Sequence, residues 1–156
     1  MKTALIIGGS TGMGLDTAKR LGARGAAVTI TGRDTAKLTL AATAISEAGA
    51  SHVTTRSVDL YQRAEVDEFI RLLAAGPAFD YVVNSAGYFF PTPFLSHTRE
   101  DYRRYHDLNE AFFFLTQAAA QRMVHQKVKG SIVNIGSMWA RQAIKATPSS
   151  AYSMAK

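Results

Sequence analysis

The apolar run Leu5-Ile6-Ile7 stops at Gly8-Gly9-Ser10-Thr11-Gly12-Met13-Gly14, and a helical apolar pattern begins at Leu15. That succession of buried strand, glycine-rich loop and helix constrains the fold more than any other stretch of the chain. Glycines at 8, 12 and 14 let the backbone turn sharply and approach a ligand closely. The amides that open the next helix have no partner within it and lie at the positive end of its dipole. A loop of this kind suits a dinucleotide pyrophosphate, held by Gly8, Ser10, Thr11, Gly12, Met13 and Gly14. Its Gly-x3-Gly-x-Gly spacing differs from the general Gly-x-Gly-x2-Gly fingerprint, so by itself the loop also reads as a plain tight turn.

Strands and helices alternate from there. Leu15, Ala18, Leu21 and Gly22 recur at helical spacing up to Arg24-Gly25, and Ala26 to Thr31 reads as a second strand. Asp34 can cap a helix through Leu38, Ala41 and Ile45 that stops at Gly49. His52 to Val58 alternates as a third strand, and Arg63 to Ala75 is a helix broken by Gly76-Pro77. Tyr81 to Val83 is a short buried strand, and Tyr88 to Ser96 is a loop containing two prolines. A long helix from Arg99 to about Gln126 is apolar enough to predict burial on more than one side. Ser131 to Ile135 forms a fifth strand, Met138 to Ser150 a loop, and Ala151 to Lys156 the start of a helix. Five such alternations specify βαβ units, an α/β fold with a doubly wound parallel sheet between two helical layers. A length of 156 residues, 47% of them hydrophobic, predicts a single domain over residues 1–156.

The 18 basic residues outnumber 12 acidic ones but never form a run, which argues for a generally basic surface and against a nucleic-acid partner. That surface suits an anionic cofactor equally well. With no cysteine in the sequence there are no disulfides or thiolate metal sites. His52, His97, His106 and His125 lack metal-ligand spacing, so no metal is expected. The apolar run before Gly8 is too short for a signal peptide or a membrane span, and a cytoplasmic protein without membrane contact is expected.

In a parallel sheet the loops at the carboxyl ends of the strands form the ligand crevice. Arg33, Asp59, Asn84 to Gly87 and Ser137 all fall there. An acidic residue at the end of the second strand would accept a bond from a ribose 2′-hydroxyl, whereas Arg33 favours a 2′-phosphate, hence NADP over NAD. The alternative is a surface arginine beside Asp34 in a helix cap. Tyr152 and Lys156 are four apart on a helix, with Cβ atoms about 5 to 6 Å apart. A free phenol is a poor proton donor or acceptor at neutral pH. An ammonium beside it stabilises the phenolate and makes proton exchange with a carbonyl or alcohol oxygen feasible.

Taken in order, Gly8-x3-Gly12-x-Gly14, Asp59, Asn84-Ser85-Ala86-Gly87, Asn109, Ser137 and Tyr152-x3-Lys156 closely resemble the short-chain dehydrogenase/reductase family along the whole chain. The resemblance implies a Rossmann-type fold and an oxidoreductase that transfers hydride between NADPH and a carbonyl or secondary alcohol. It implies Tyr152 as acid/base, Lys156 on the nicotinamide ribose, Ser137 orienting the carbonyl, and Asn109 in a water-linked proton relay. Asp59 would contact the adenine, and Asn84, Ala86 and Gly87 would flank the cofactor. The alternative is a non-catalytic dinucleotide-binding module or an inactive fragment of such an enzyme. Many members carry threonine where Ile7 stands, so a loop-stabilising hydroxyl is missing from that position. Ser137 and Tyr152 are slightly further apart than usual. Phe89, Phe90, Phe94, Met138 and Trp139 make the implied substrate pocket apolar. Members continue past the lysine with further strands, so the chain is expected to be the N-terminal part of a longer protein that forms a homodimer or homotetramer.

Overall fold

Ala4, Leu5, Ile6 and Ile7 are all fully buried because β1 (Thr3–Ile7) is the middle strand of a five-stranded sheet covered on both faces. The computed structural model describes residues 1–142 and 146–156; residues 143–145, within the expected Met138–Ser150 loop, lie outside the described residues. The remaining strands are β2 (Ala27–Gly32), β3 (His52–Ser57), β4 (Tyr81–Asn84) and β5 (Ser131–Asn134). They pair in the order β3-β2-β1-β4-β5, every pair parallel. This is the doubly wound α/β sheet expected from the alternation of strand and helix patterns.

The two-residue period of a strand divides the core in two. Leu5, Ile7 and Val82 point into one layer with Val66, Phe69, Leu108 and Leu115, from α3 (Arg63–Ala75) and α4 (Arg99–His125). Ala4, Ile6 and Val83 point into the other with Ala18, Leu38 and Ile45, from α1 (Gly12–Gly22) and α2 (Thr35–Glu47). Each large side chain buried this way contributes roughly 1.5–3 kcal/mol. A short helix, α5 (Ser150–Ala155), lies against α4.

Asp34 caps α2 as expected, accepting from the Lys37 amide at 3.1 Å. The start of α4 is fixed by a capping box absent from the sequence reading: Thr98 Oγ1 accepts from the Asp101 amide and Asp101 Oδ2 accepts from the Thr98 amide. Burial of α4 on more than one side is not what the structure shows. Tyr105, Leu108, Ala111, Leu115, Ala118, Ala119 and Met123 form one buried stripe, while Phe113 is 63% exposed. The helix has one sheet face to cover, and Phe113 and Phe114 on its outer side stay exposed among the described residues.

The opening of β1 is tied to the start of β4. Lys2 Nζ donates to Asp80 Oδ1 at 2.7 Å, the Thr3 amide donates to Asp80 Oδ2 at 2.8 Å, and the Asp80 amide donates to the Thr3 carbonyl at 3.0 Å. The Lys2 hydrogen bond, reinforced by Thr3, holds the Asp80 carboxyl below its usual range. Among the described residues no helix is long and apolar enough to cross a membrane, and no three His, Asp or Glu side chains could hold a metal.

Candidate functional site

The order of the strands reverses between β1 and β4, so α1 leaves one strand toward one face and α4 follows the other toward the opposite face. Their carboxyl ends therefore splay apart, leaving a cleft of about 350 Å³ lined by Gly8, Ser10, Thr11, Gly12, Met13, Arg33, Asp59, Ala86 and Gly87. The glycine loop forms its floor. Gly8 has φ +83°, and a Cβ there would lie 2.5 Å from the Ala86 Cα. A Cβ on Gly14 would lie 2.1 Å from the Gly8 carbonyl oxygen, so only glycine lets α1 start directly on the loop. The first intrahelical bond of α1 runs from the Leu15 amide to the Thr11 carbonyl at 3.1 Å. The amides of Gly12, Met13 and Gly14 are thus left free at the helix start, with no acidic residue in the first turn.

The hydroxyl expected to be missing at Ile7 comes from the neighbouring strand. Thr31 is paired with Ile7 in register, is 1% exposed, and its Oγ1 accepts from the Gly8 amide at 3.3 Å. Its carbonyl also accepts from the Gly9 amide at 3.0 Å. Across the sheet, the Ser85 and Ala86 amides both donate to the Ile7 carbonyl at 2.9 Å, locking the β4 loop against the glycine loop.

At the β2 end of the cleft Arg33 and Asp34 have separated. Asp34 faces its own helix, capping α2 and lying 3.8 Å from Lys37 Nζ, whereas Arg33 lines the cleft. The Arg33 guanidinium sits 5.8 Å from the centre of the Tyr61 ring, and no carboxylate pairs with it among the described residues. Asp59 accepts from the Tyr61 amide at 3.1 Å. Tyr61 is a lining residue the sequence did not single out; burial pushes its hydroxyl above the ordinary phenol range, opposed by Arg33. These features fit a dinucleotide: a cradle that a Cβ would fill, free amides at a helix start, and an unpaired guanidinium where the adenosine ribose would lie.

Other expected site residues lie elsewhere. Gly14 packs beneath the loop and does not line the cleft. The Asn84 side chain turns away from the cleft. It is 2% exposed and donates through Nδ2 to Thr116 Oγ1 at 2.7 Å and to Asn134 Oδ1 at 2.6 Å, tying β4 to α4 and β5. A second cavity of about 480 Å³ is lined by Asn84, Asn109 and Lys156 among others. There Asn109 Nδ2 donates to the Ala155 carbonyl at 2.6 Å, so its amide braces α5 against α4.

Tyr152 and Lys156 come together as their spacing predicts, with Lys156 Nζ 5.6 Å from the centre of the Tyr152 ring. Ser137 opens the 3₁₀ turn Met138–Ala140, and its Oγ accepts from the Trp139 amide at 3.2 Å. That leaves the Ser137 hydroxyl proton free to donate. Trp139 in turn lies 5.8 Å from Tyr152, and Phe89 lies 4.8 Å from it, both edge-to-face. Tyr105 is a second residue the sequence reading missed, since it stands at core spacing on α4. It is 3% exposed, and its hydroxyl accepts from the Phe90 amide at 3.2 Å and donates to the Phe90 carbonyl at 3.1 Å.

A parallel doubly wound sheet with a phosphate-type loop at its switch point is the nucleotide-binding α/β class. Within that class, the short chain dehydrogenase profile matches residues 2–156, and the chain belongs to this family. It is 31% identical over 143 residues to a galactitol 2-dehydrogenase of Agrobacterium fabrum, covering 90% of this chain and 54% of the relative. It is 34% identical over 139 residues to NADPH carbonyl reductase 2 of Sus scrofa, covering 86% and 52%. Among solved structures, a short-chain dehydrogenase from Sphingobium yanoikuyae in complex with NADPH superposes with a TM-score of 0.89 at 30% identity, covering 100% of this chain and 61% of that one. A bulky-bulky ketone specific alcohol dehydrogenase from Comamonas testosteroni does so with a TM-score of 0.89 at 29% identity, covering 100% and 62%. The chain spans about half the length of the curated relatives it matches.

Proposed function

We propose that this chain carries the cofactor site and the proton-transfer residues of an NADPH-dependent carbonyl reductase or alcohol dehydrogenase. The observation that carries this reading is the division of labour in the cleft: Arg33 lines it without a carboxylate partner, while Asp34 is spent on the α2 cap. An arginine so placed binds a 2′-phosphate by charge-assisted hydrogen bonds and gains nothing comparable from a 2′-hydroxyl. The pyrophosphate would rest on the free amides of Gly12 and Met13, with Ser10 and Thr11 beside it and Gly8 allowing its close approach. Asp59 would face the adenine, and Ala86 and Gly87 would flank the ribose on the β4 side.

The nicotinamide cofactor, when bound, supplies the hydride. Tyr152 donates the proton that the reduced carbonyl oxygen requires, and takes it back in alcohol oxidation. The Ser137 hydroxyl, its lone pair already engaged by the Trp139 amide, donates to the same carbonyl oxygen and orients it. Lys156 lies beside the Tyr152 ring, on the helix that carries both residues, where it would hold a ribose hydroxyl of the cofactor. Asn109 braces the helix that carries both residues, and its remaining amide oxygen is free to accept from a water on the way to Lys156. The named carbonyl reductase and the NADPH-bound neighbour support this assignment. The exposed outer face of α4, with Phe113 and Phe114, supports association with a second copy.

Fluorescence titration with NADPH and NADH, followed by a carbonyl panel assayed at 340 nm, tests the reading. Tighter NADPH binding and NADPH oxidation by at least one carbonyl are expected. Binding without any oxidation across the panel would reject catalysis in favour of a dinucleotide-binding module.

A further inference from the structure

We propose that the site at Tyr152 is built for carbonyl compounds carrying a flat aromatic group, with Phe89 and Trp139 as its specificity-determining residues and Tyr105 as the residue that positions Phe89. The proposal rests on the reading of Tyr152 as the proton donor.

Three aromatic rings surround Tyr152. Phe89 lies 4.8 Å away at 68°, Tyr105 5.8 Å away at 71°, and Trp139 5.8 Å away at 84°. Phe89 and Trp139 also meet each other at 5.0 Å and 68°. All four pairs are edge-to-face, the arrangement in which the positive edge of one ring meets the negative face of another. A cluster of this kind accepts one more ring on the same terms.

The rings are fixed in place rather than merely collapsed on one another. Tyr105 is buried on α4, and its hydroxyl bonds both the amide and the carbonyl of Phe90, so the backbone next to Phe89 cannot slide along the helix. Ser137 Oγ holds the Trp139 amide. Phe89 is nevertheless 42% exposed, so its ring has surface to offer a ligand. The Tyr105 hydroxyl is already used, which leaves these walls poor in groups that could satisfy a polyol. Sugar hydroxyls set against these rings would lose water without gaining partners. A saturated ring would gain area alone, whereas an aryl ring gains area and the edge-to-face contacts.

Trp139 is the only tryptophan of the sequence, so its fluorescence reports what enters the cluster. The test titrates the NADP⁺-loaded protein with acetophenone, cyclohexyl methyl ketone and a ketotetrose, following Trp139 emission, and measures NADPH oxidation with the same three compounds. Saturable quenching by acetophenone is expected, with an apparent affinity on the order of tenfold above cyclohexyl methyl ketone and no saturable response to the sugar. Phe89→Ala should remove that tenfold preference, Phe89→Leu should do the same, and Tyr105→Phe should weaken it by releasing Phe90. Equal affinity for the aryl and cyclohexyl ketones, a preference for the sugar, or a preference unchanged in Phe89→Ala would overturn the proposal. Acetophenone quenching that depends on Phe89 but produces no NADPH oxidation supports the aromatic site and rejects the hydride-transfer reading. Oxidation driven by the sugar alone does the reverse.

Discussion

Alanine substitutions at three glycines of the first loop should have sharply different costs. At Gly12, φ is +54° and a Cβ would meet nothing within 4 Å, so alanine carries only the left-handed backbone penalty of roughly 1–2 kcal/mol. At Gly8, φ is +83° and the Cβ would also lie 2.5 Å from the Ala86 Cα and nitrogen. That backbone cannot retreat freely, because the Ser85 and Ala86 amides are both bonded to the Ile7 carbonyl at 2.9 Å. Overpacking of roughly 1–3 kcal/mol adds to the same backbone penalty, giving about 2–5 kcal/mol in all. Gly14 has an ordinary φ, but its Cβ would lie 2.1 Å from the Gly8 oxygen, so about 3 kcal/mol from overpacking alone is expected. Against a total stability of roughly 5–15 kcal/mol these differences are large. Urea unfolding followed by circular dichroism, paired with NADPH titration, measures both effects. Gly12→Ala should stay folded yet bind NADPH more weakly, since its methyl enters the cleft, whereas Gly8→Ala and Gly14→Ala should lose stability first. Equal stability of Gly8→Ala and Gly12→Ala would show that the glycine loop and the β4 loop do not meet as described.

Arg33→Ser should lower NADPH affinity by roughly 10- to 100-fold and leave NADH affinity nearly unchanged, read by fluorescence titration; equal losses for both would remove Arg33 from the 2′-phosphate. Asn84→Leu should cost about 1–3 kcal/mol in urea unfolding by stranding Thr116 and Asn134, while NADPH affinity stays within about threefold, because that side chain faces away from the cleft. Asp80 has its carboxyl held below the usual range by Lys2 and Thr3, so its contribution to stability is complete above the unfolded carboxyl pKa near 4 and is lost as pH falls through the lower folded value. Asp80→Asn should flatten that acid limb in a pH series of melts; an unchanged limb would remove the Lys2–Asp80 pair as its source.

What the sequence revealed depended on whether the constraint was local. Glycines at 8, 12 and 14 were legible because each answers a local backbone demand, and the division of the β1 side chains between the two core layers follows from the strand period. Helix α3 was read to its observed ends, Arg63 and Ala75, because Gly76-Pro77 stops it locally. Asp34 was legible as a cap, but its separation from Arg33 was not, since that depends on which way each side chain turns at the end of β2. The Thr31 hydroxyl was hidden because it serves Gly8 across a strand pair 23 residues away. Tyr105 stands at core spacing on α4, and only the path of the 88–96 loop reveals that its hydroxyl holds Phe90. The direction of the Asn84 side chain was not legible, since Ala86 and Gly87 two and three residues on line the cleft while the asparagine side chain turns toward α4.

In the proposed function Tyr152 moves the proton in a hydride transfer served by the Arg33 cleft. Tyr152→Phe keeps the ring that packs against Phe89 and Trp139 and removes only the hydroxyl. Measured on a carbonyl that the wild type reduces, the variant should lose roughly 100- to 10,000-fold in kcat while its NADPH affinity, by direct titration, stays within about threefold. A variant that turns over within about tenfold of wild type with NADPH still bound would contradict the account.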